Sequence, residues 1–338
     1  MQFGRGKPSA GAFLDSDFRS MDTVLAVSLL YGMQAKNDCK VAMLAMSRQD
    51  LKTAGYLDMV NRFYHGPSGN FNQLQPVGMP TVGKPGEPPP PFVSVFDRKK
   101  ADGTPAYKND VKSVIETGDP NTLYRNYLEA QYDQNCFFIV AGPATNMASA
   151  LDFRGMKDLL TAKVKYLVFA DIEANTKADV ASAKRLFAEW PTPIYTVSGE
   201  IGTAFPFPGA SIDKEFKVVA ENPVADVYRS WKPMPYDTPA PAMAAALYAG
   251  RPKENYFKLS DPGTFTVGND GKPVFTAGAQ GKHQFLIADP SQKEKILKDY
   301  VELASAKPAA PVRFRPPAAA ADKAKDPADK VVVPPAQP

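Results

Sequence analysis

"GAFLDSDFRSMDTVLAVSLLYG", residues 11–32, runs from an apolar segment through three aspartates into an amphipathic segment. "AFLD" (12–15) reads as a buried strand and residues 22–35 as a helix, the opening of an α/β unit. Side chains two apart on a strand share a face, so Asp15 and Asp17 are expected to point the same way, with Asp22 following a tight turn. Like charges this close repel unless something positive sits among them. Ligands of open α/β sheets bind at the carboxyl ends of strands, and three carboxylates converging there suit an oxygen-ligated hard cation such as Ca²⁺ or Mg²⁺. A helix cap at Asp22 plus solvated turn acids gives the same pattern, and spacing alone leaves both readings open.

Further strands are expected at "KVAMLAM" (40–46), "CFFIVAG" (136–142), "VKYLVFA" (164–170) and "PIYTVSG" (193–199), with helices over 51–64, 121–132, 144–152 and 179–189. This alternation predicts an open, mostly parallel sheet flanked by helices, a Rossmann-like α/β class. Asp22, Asn146 and Asp179 lie near helix starts and are candidate caps. Residues 66–106 break the rhythm with "GKPGEPPPPF", which is too stiff for a sheet interior and reads as a surface excursion of one domain spanning 1–306. Residues 307–338 are rich in Ala, Pro and Lys and read as a disordered tail.

The 338 residues are 44% hydrophobic and 22% charged, with a formal net charge of +4. These are values of a globular protein with a substantial core, and no apolar run approaches the roughly 20 residues of a membrane span. No basic block interleaved with aromatics points to nucleic acid. The sequence as written begins with no export address, which leaves the compartment open between cytoplasm and, for a mature or truncated start, periplasm or medium. Cys39 and Cys136 lie beside apolar runs and are expected to be plain buried thiols. His65 and His283, the two histidines, read as structural or solvated.

Four blocks in order, "DSDFRSMD" (15–22), "GPATN" (142–146), "EANTKADVASA" (173–183) and "YDTPA" (236–240), resemble the inosine-uridine nucleoside hydrolases. The stretches "LFAEWPTPIY", "EIGTAFPFPG" and "PVADVYRSWKPMPYD" are similar to a divergent bacterial subgroup of that family, often exported. The resemblance implies hydrolysis of the N-glycosidic bond of a nucleoside or related riboside, and a Ca²⁺ held by Asp17, Asp22, Asp237 and the Thr145 carbonyl. It also implies Asp17 as the base that takes a proton from water, and Asp15, Glu173, Asn175 and Tyr236 on the substrate side. Attack at C1′ through an oxocarbenium-like state is chemically reasonable for such a set. Family members are commonly oligomeric, so a homo-oligomer is expected, although no interface is readable.

Departures from the family pattern fall on sugar recognition and leaving-group activation. Met21 stands where a ribose-binding acid is expected, Phe18-Arg19 replaces Pro-Gly, and Tyr236 replaces a His. A thioether is a weak acceptor, and a phenol is a weaker acid than imidazolium. A catalytically inactive metal- or ligand-binding protein on the same fold is therefore the alternative. "DSDF" also resembles the start of haloacid dehalogenase-type phosphatases, but Arg19 occupies that motif's Thr position and no later Lys with an acidic pair follows.

Overall fold

Continuous apolar runs become the strands of the central sheet, because strands covered on both faces need no polar alternation. The computed structural model describes residues 8–65, 76–81, 86–216 and 221–308. In it β1 (Ala10–Ser16), β2 (Cys39–Met46), β3 (Cys136–Val140), β4 (Val164–Phe169) and β5 (Ile194–Thr196) are parallel neighbours. The chain then adds β6 (Lys258–Leu259), β7 (Gly263–Val267), β8 (Pro273–Ala277) and β9 (His283–Ile287). The sheet order is β2-β1-β3-β4-β5-β9-β7-β8, with β6 on β9. β9 continues the parallel sense beside β5, while β6, β7 and β8 are antiparallel. The mostly parallel architecture thus matches the sequence reading and gains an antiparallel margin that the reading did not contain.

Alternation along β1 divides two cores. Ala12 and Leu14 join the core packed under the helices Met21–Ala35 and Pro241–Gly250, whereas Phe13 faces the opposite core and stacks on Phe138 at 4.7 Å. Every residue from Met21 to Met33 is buried, as expected of a helix covered on all sides. Its outer cover is the helix Lys293–Ala304, which approaches so closely that a Cβ on Gly32 would lie 2.0 Å from the Leu303 carbonyl oxygen. Both cysteines are buried thiols, each pushed up to about 12 chiefly by burial.

The segment read as a surface excursion does more than cross the surface. The Met46 amide donates to the Gly78 carbonyl at 2.7 Å and the Gly78 amide to the Leu44 carbonyl at 2.9 Å, which sets a rung outside β2. Val77 and Met79 are buried there, as are Phe92 and Val95 of the helix Pro90–Phe96, whose first-turn prolines need no amide partner. Residues 66–75 and 82–85 of this stretch, and 309–338 of the expected tail, lie outside the described residues.

Candidate functional site

From β1 the chain crosses to β2 on one side and later to β3 on the other, so the carboxyl ends of β1 and β3 form the switch point where open α/β sheets bind ligands. The turn after β1 is fixed by its neighbours. The Ser16 hydroxyl donates to the Ala141 carbonyl at 2.8 Å and accepts from the Phe18 amide at 3.0 Å. Arg48 Nε, at the end of β2, donates to the Asp17 carbonyl at 2.9 Å. A Cβ on Gly142 would stand 2.5 Å from the Asp17 amide nitrogen, so the "GP" turn after β3 needs glycine for β1 to pass. Phe18, fully buried, takes φ 51°, a left-handed conformation that is uncommon for a bulky residue.

A cavity of about 410 Å³ opens at this point. Asp17, Asp22, Asp171 and Asn175 line it, with Arg19 and Lys232 also on its walls and Met21 among the apolar lining. Asp22 accepts from the Ser20 hydroxyl and, at 2.8 Å, from the Ala242 amide. Burial raises its carboxyl to about 6, and the charge of Asp171 adds to the rise. Burial likewise raises Asp17, against which the Arg19 amide and the Arg48 and Arg19 charges work. Asp171 is also raised, mainly by burial and then by Glu173. Each carboxyl on the wall thus holds its proton more firmly than a free one, because burial outweighs the donors supplied.

Asp15 sits beneath the cavity rather than on its wall. The Tyr124 hydroxyl and the Asn146 amide both donate to Oδ2, at 2.5 and 2.6 Å, while Oδ1 is buried without a partner. Burial lifts this carboxyl to about 7. The expectation that Asp15 and Asp17 share a face fails because β1 ends at Ser16, so strand alternation does not extend to Asp17. Asn146, expected as a cap, spends its amide on Asp15 and the Met46 carbonyl instead. Asp22 caps the helix Pro241–Gly250 rather than its own, whereas Asp179 does accept from the Ser182 amide at 3.1 Å.

The remaining expected site residues lie elsewhere. The Thr145 side chain is exposed and donates to Asp179 at 2.7 Å. Asp237, also exposed, accepts from the Gly209 amide at 2.9 Å and is absent from the cavity lining, where Thr238 and Pro239 stand. Tyr236 stacks on Tyr228 at 4.4 Å and donates its hydroxyl to the Tyr228 carbonyl at 2.8 Å. Glu173 accepts from the Gly199 amide at 3.2 Å and lines a different cavity. Asn175 is on the wall, its amide given to the Ala170 carbonyl at 2.7 Å. His283 is buried with Nδ1 accepting from the Phe265 amide at 2.8 Å, and burial pushes it down to about 4. His65 bonds the Asn61 carbonyl through Nδ1.

The implied calcium set is therefore not brought together. Asp17 and Asp22 face the cavity, neither Thr145, whose carbonyl is the implied ligand, nor Asp237 is among its lining residues, and both Asp22 oxygens already accept hydrogen bonds. Among the described residues no group of three His, Cys, Asp or Glu side chains could hold a metal ion. Calcium held by that set does not fit these residues.

Asp171, Tyr124, Arg48 and Lys232 belong to the site or its support, and sequence reasoning did not single them out. Asp171 carried a readable signal, an acid directly after the apolar run "VKYLVFA". The others come from distant segments whose proximity only the fold creates.

No protein-family model matches the sequence, and no curated protein does. Solved structures do. An inosine-uridine preferring nucleoside hydrolase from Bacillus anthracis aligns with TM-score 0.64 at 14% identity, over 88% of this chain and 99% of that one. A purine-preferring ribonucleoside hydrolase from Gardnerella vaginalis aligns with TM-score 0.61 at 15% identity, over 87% and 98%. The type III effector protein XopQ, in a structure complexed with adenosine diphosphate ribose, aligns with TM-score 0.59 at 13% identity, over 89% and 94%. This chain has the fold of the nucleoside hydrolases.

Proposed function

We propose that the cavity at the ends of β1, β3 and β4 binds a nucleoside-like riboside and that the protein hydrolyses its N-glycosidic bond. The observation that carries this reading is a cavity walled by Asp17, Asp22 and Asp171 at the switch point of this fold. Carboxylates suit ribose hydroxyls, which are donors, and stabilise an oxocarbenium-like sugar. Asp17 is the proposed base: a raised carboxyl holds a proton more readily nearer neutral pH, which favours taking one from water as its oxygen attacks C1′. The C1′–N bond breaks, its electron pair leaves with the base, and the base takes a proton from solvent. The XopQ complex, in which this fold holds a ribose-bearing ligand, supports the substrate class.

Calcium is left out of this proposal, because Thr145 and Asp237 of the implied donor set do not line the cavity. A second reading, binding without turnover, is favoured by Tyr236, whose hydroxyl is committed to a backbone carbonyl and so is not offered to a leaving base. Reducing-sugar release from a panel of ribonucleosides, with calcium and with EDTA, tests both. Release that is unchanged by EDTA and abolished in Asp17→Asn supports the hydrolase. Calorimetric binding of the same ribosides with no release supports the binding protein, and neither binding nor release overturns both.

A further inference from the structure

A second and larger cavity, about 610 Å³, lies where β5 meets the antiparallel margin, away from the carboxylates Asp17 and Asp22. Its apolar wall is built by three phenylalanines on adjacent strands. Phe265 and Phe275 are direct cross-strand partners with ring centroids 4.9 Å apart, and Phe285 meets Phe275 edge to face at 5.1 Å. Its rim carries the exposed carboxylates Glu173 and Glu200, and no Lys, Arg or His is among the lining residues. At the inner wall stands Thr196, 1% exposed, whose hydroxyl has no hydrogen-bond partner. A buried hydroxyl left unpaired costs free energy, and a ligand atom that reached it would recover that cost. Cavities of this size with apolar walls and a few convergent polar groups are the usual form of small-molecule sites.

We propose that this cavity binds a small aromatic amine bearing a polar group at the end of the ring opposite the amine. The ring packs edge to face on the phenylalanines, the ammonium meets Glu173 and Glu200, and the far polar group pairs with Thr196. Each part of the ligand answers one feature of the wall: aromatic faces prefer offset or T-shaped partners, two unopposed carboxylates select a cation, and the orphaned hydroxyl needs a partner. The site is separate from the riboside cavity, although the two share the helix Ile172–Ala178, which presents Glu173 to one and Asn175 to the other.

The test uses three probes on the full chain, with binding followed by calorimetry. Tyramine has the amine, the ring and a para hydroxyl; phenethylamine lacks the hydroxyl; 4-hydroxyphenylacetate replaces the ammonium by a carboxylate. Tyramine is expected to bind at least tenfold more tightly than phenethylamine, about the worth of one buried hydrogen bond, and the carboxylate not detectably. Thr196→Val, nearly isosteric, should remove the preference for tyramine while leaving phenethylamine unchanged. Glu173→Gln with Glu200→Gln should weaken both amines, and Asp17→Asn, on the wall of the other cavity, should weaken neither. Equal binding of amine and carboxylate, loss on Asp17→Asn, or no amine binding at millimolar concentration by a protein that still melts cooperatively would overturn the proposal.

Discussion

Asp22 has two acceptor oxygens, and both are occupied, one by the Ser20 hydroxyl and one by the Ala242 amide near the start of another helix. Its employment is that of a cap donated across the fold, which pins the helix Pro241–Gly250 to the β1 turn. Asp22→Ala should cost about 1 kcal/mol, the usual worth of a cap, and the loss measured by urea denaturation should be the same in calcium as in EDTA. A loss seen only with calcium would show a metal ligand instead. Asp15 makes a separate prediction. Its folded carboxyl is raised to about 7 against an ordinary 3.8, so between these values the folded chain holds a proton that the unfolded chain has lost. Stability from this group is full below about pH 4 and declines as pH rises towards 7. His283 acts in the opposite sense, because a pKa pushed down to about 4 makes stability fall as pH drops from 6.5. The two are separated by comparison: from pH 5 to pH 8 the wild-type urea midpoint should fall more than that of Asp15→Asn, in which only the aspartate's contribution is absent.

The two helices Met21–Ala35 and Lys293–Ala304 meet at backbone contact, made possible by the missing side chain of Gly32. Alanine in an exposed helix interior would gain about 1 kcal/mol over glycine, yet here the added methyl meets a carbonyl that cannot rotate away. Gly32→Ala should therefore destabilise by roughly 1–3 kcal/mol, the ordinary cost of overpacking, read from the melting temperature. The first helix itself was legible, since "VLAVSLLY" (24–31) is apolar but for Ser28, and so were β1 to β5, whose burial on both faces leaves apolar runs. The antiparallel margin was not. β7 alternates buried and exposed residues over only five positions, and β6 has two, too short for periodicity to stand out. At the site, Asp17 and Asn175 reach the wall as expected, but Asp237 does not. The Ala-rich helix that follows it starts at Pro241, and the intervening Thr238-Pro239 takes the place on the wall. Which residue of "YDTPAPAM" faces inward depends on where the helix begins, and the alternating Pro239-Ala240-Pro241-Ala242 does not mark that start.

The molecule is closed by its last described helix. Ser28 of the first helix donates to the Ala304 carbonyl at 2.6 Å, and the Arg251 guanidinium ties Asp38 at 2.6 Å and Asp299 at 3.7 Å. Ile296, Tyr300 and Leu303 are buried against the core that also holds Leu25, Leu29 and Met33. Tyr300 is fully buried close enough to feel the Asp22 charge. Burying each such side chain contributes about 1.5–3 kcal/mol, so the three together approach the whole net stability of an ordinary domain, roughly 5–15 kcal/mol. A chain ended after Gln292 should lose them all and leave the first helix with one face uncovered. It should melt without a cooperative transition and bind an apolar dye, while Lys298→Ala, outside the buried set of the same helix, leaves the melt unchanged. If the shortened chain instead melts cooperatively near the wild-type temperature, the core does not depend on this helix, and the sheet and the helix Met21–Ala35 hold it without that cover.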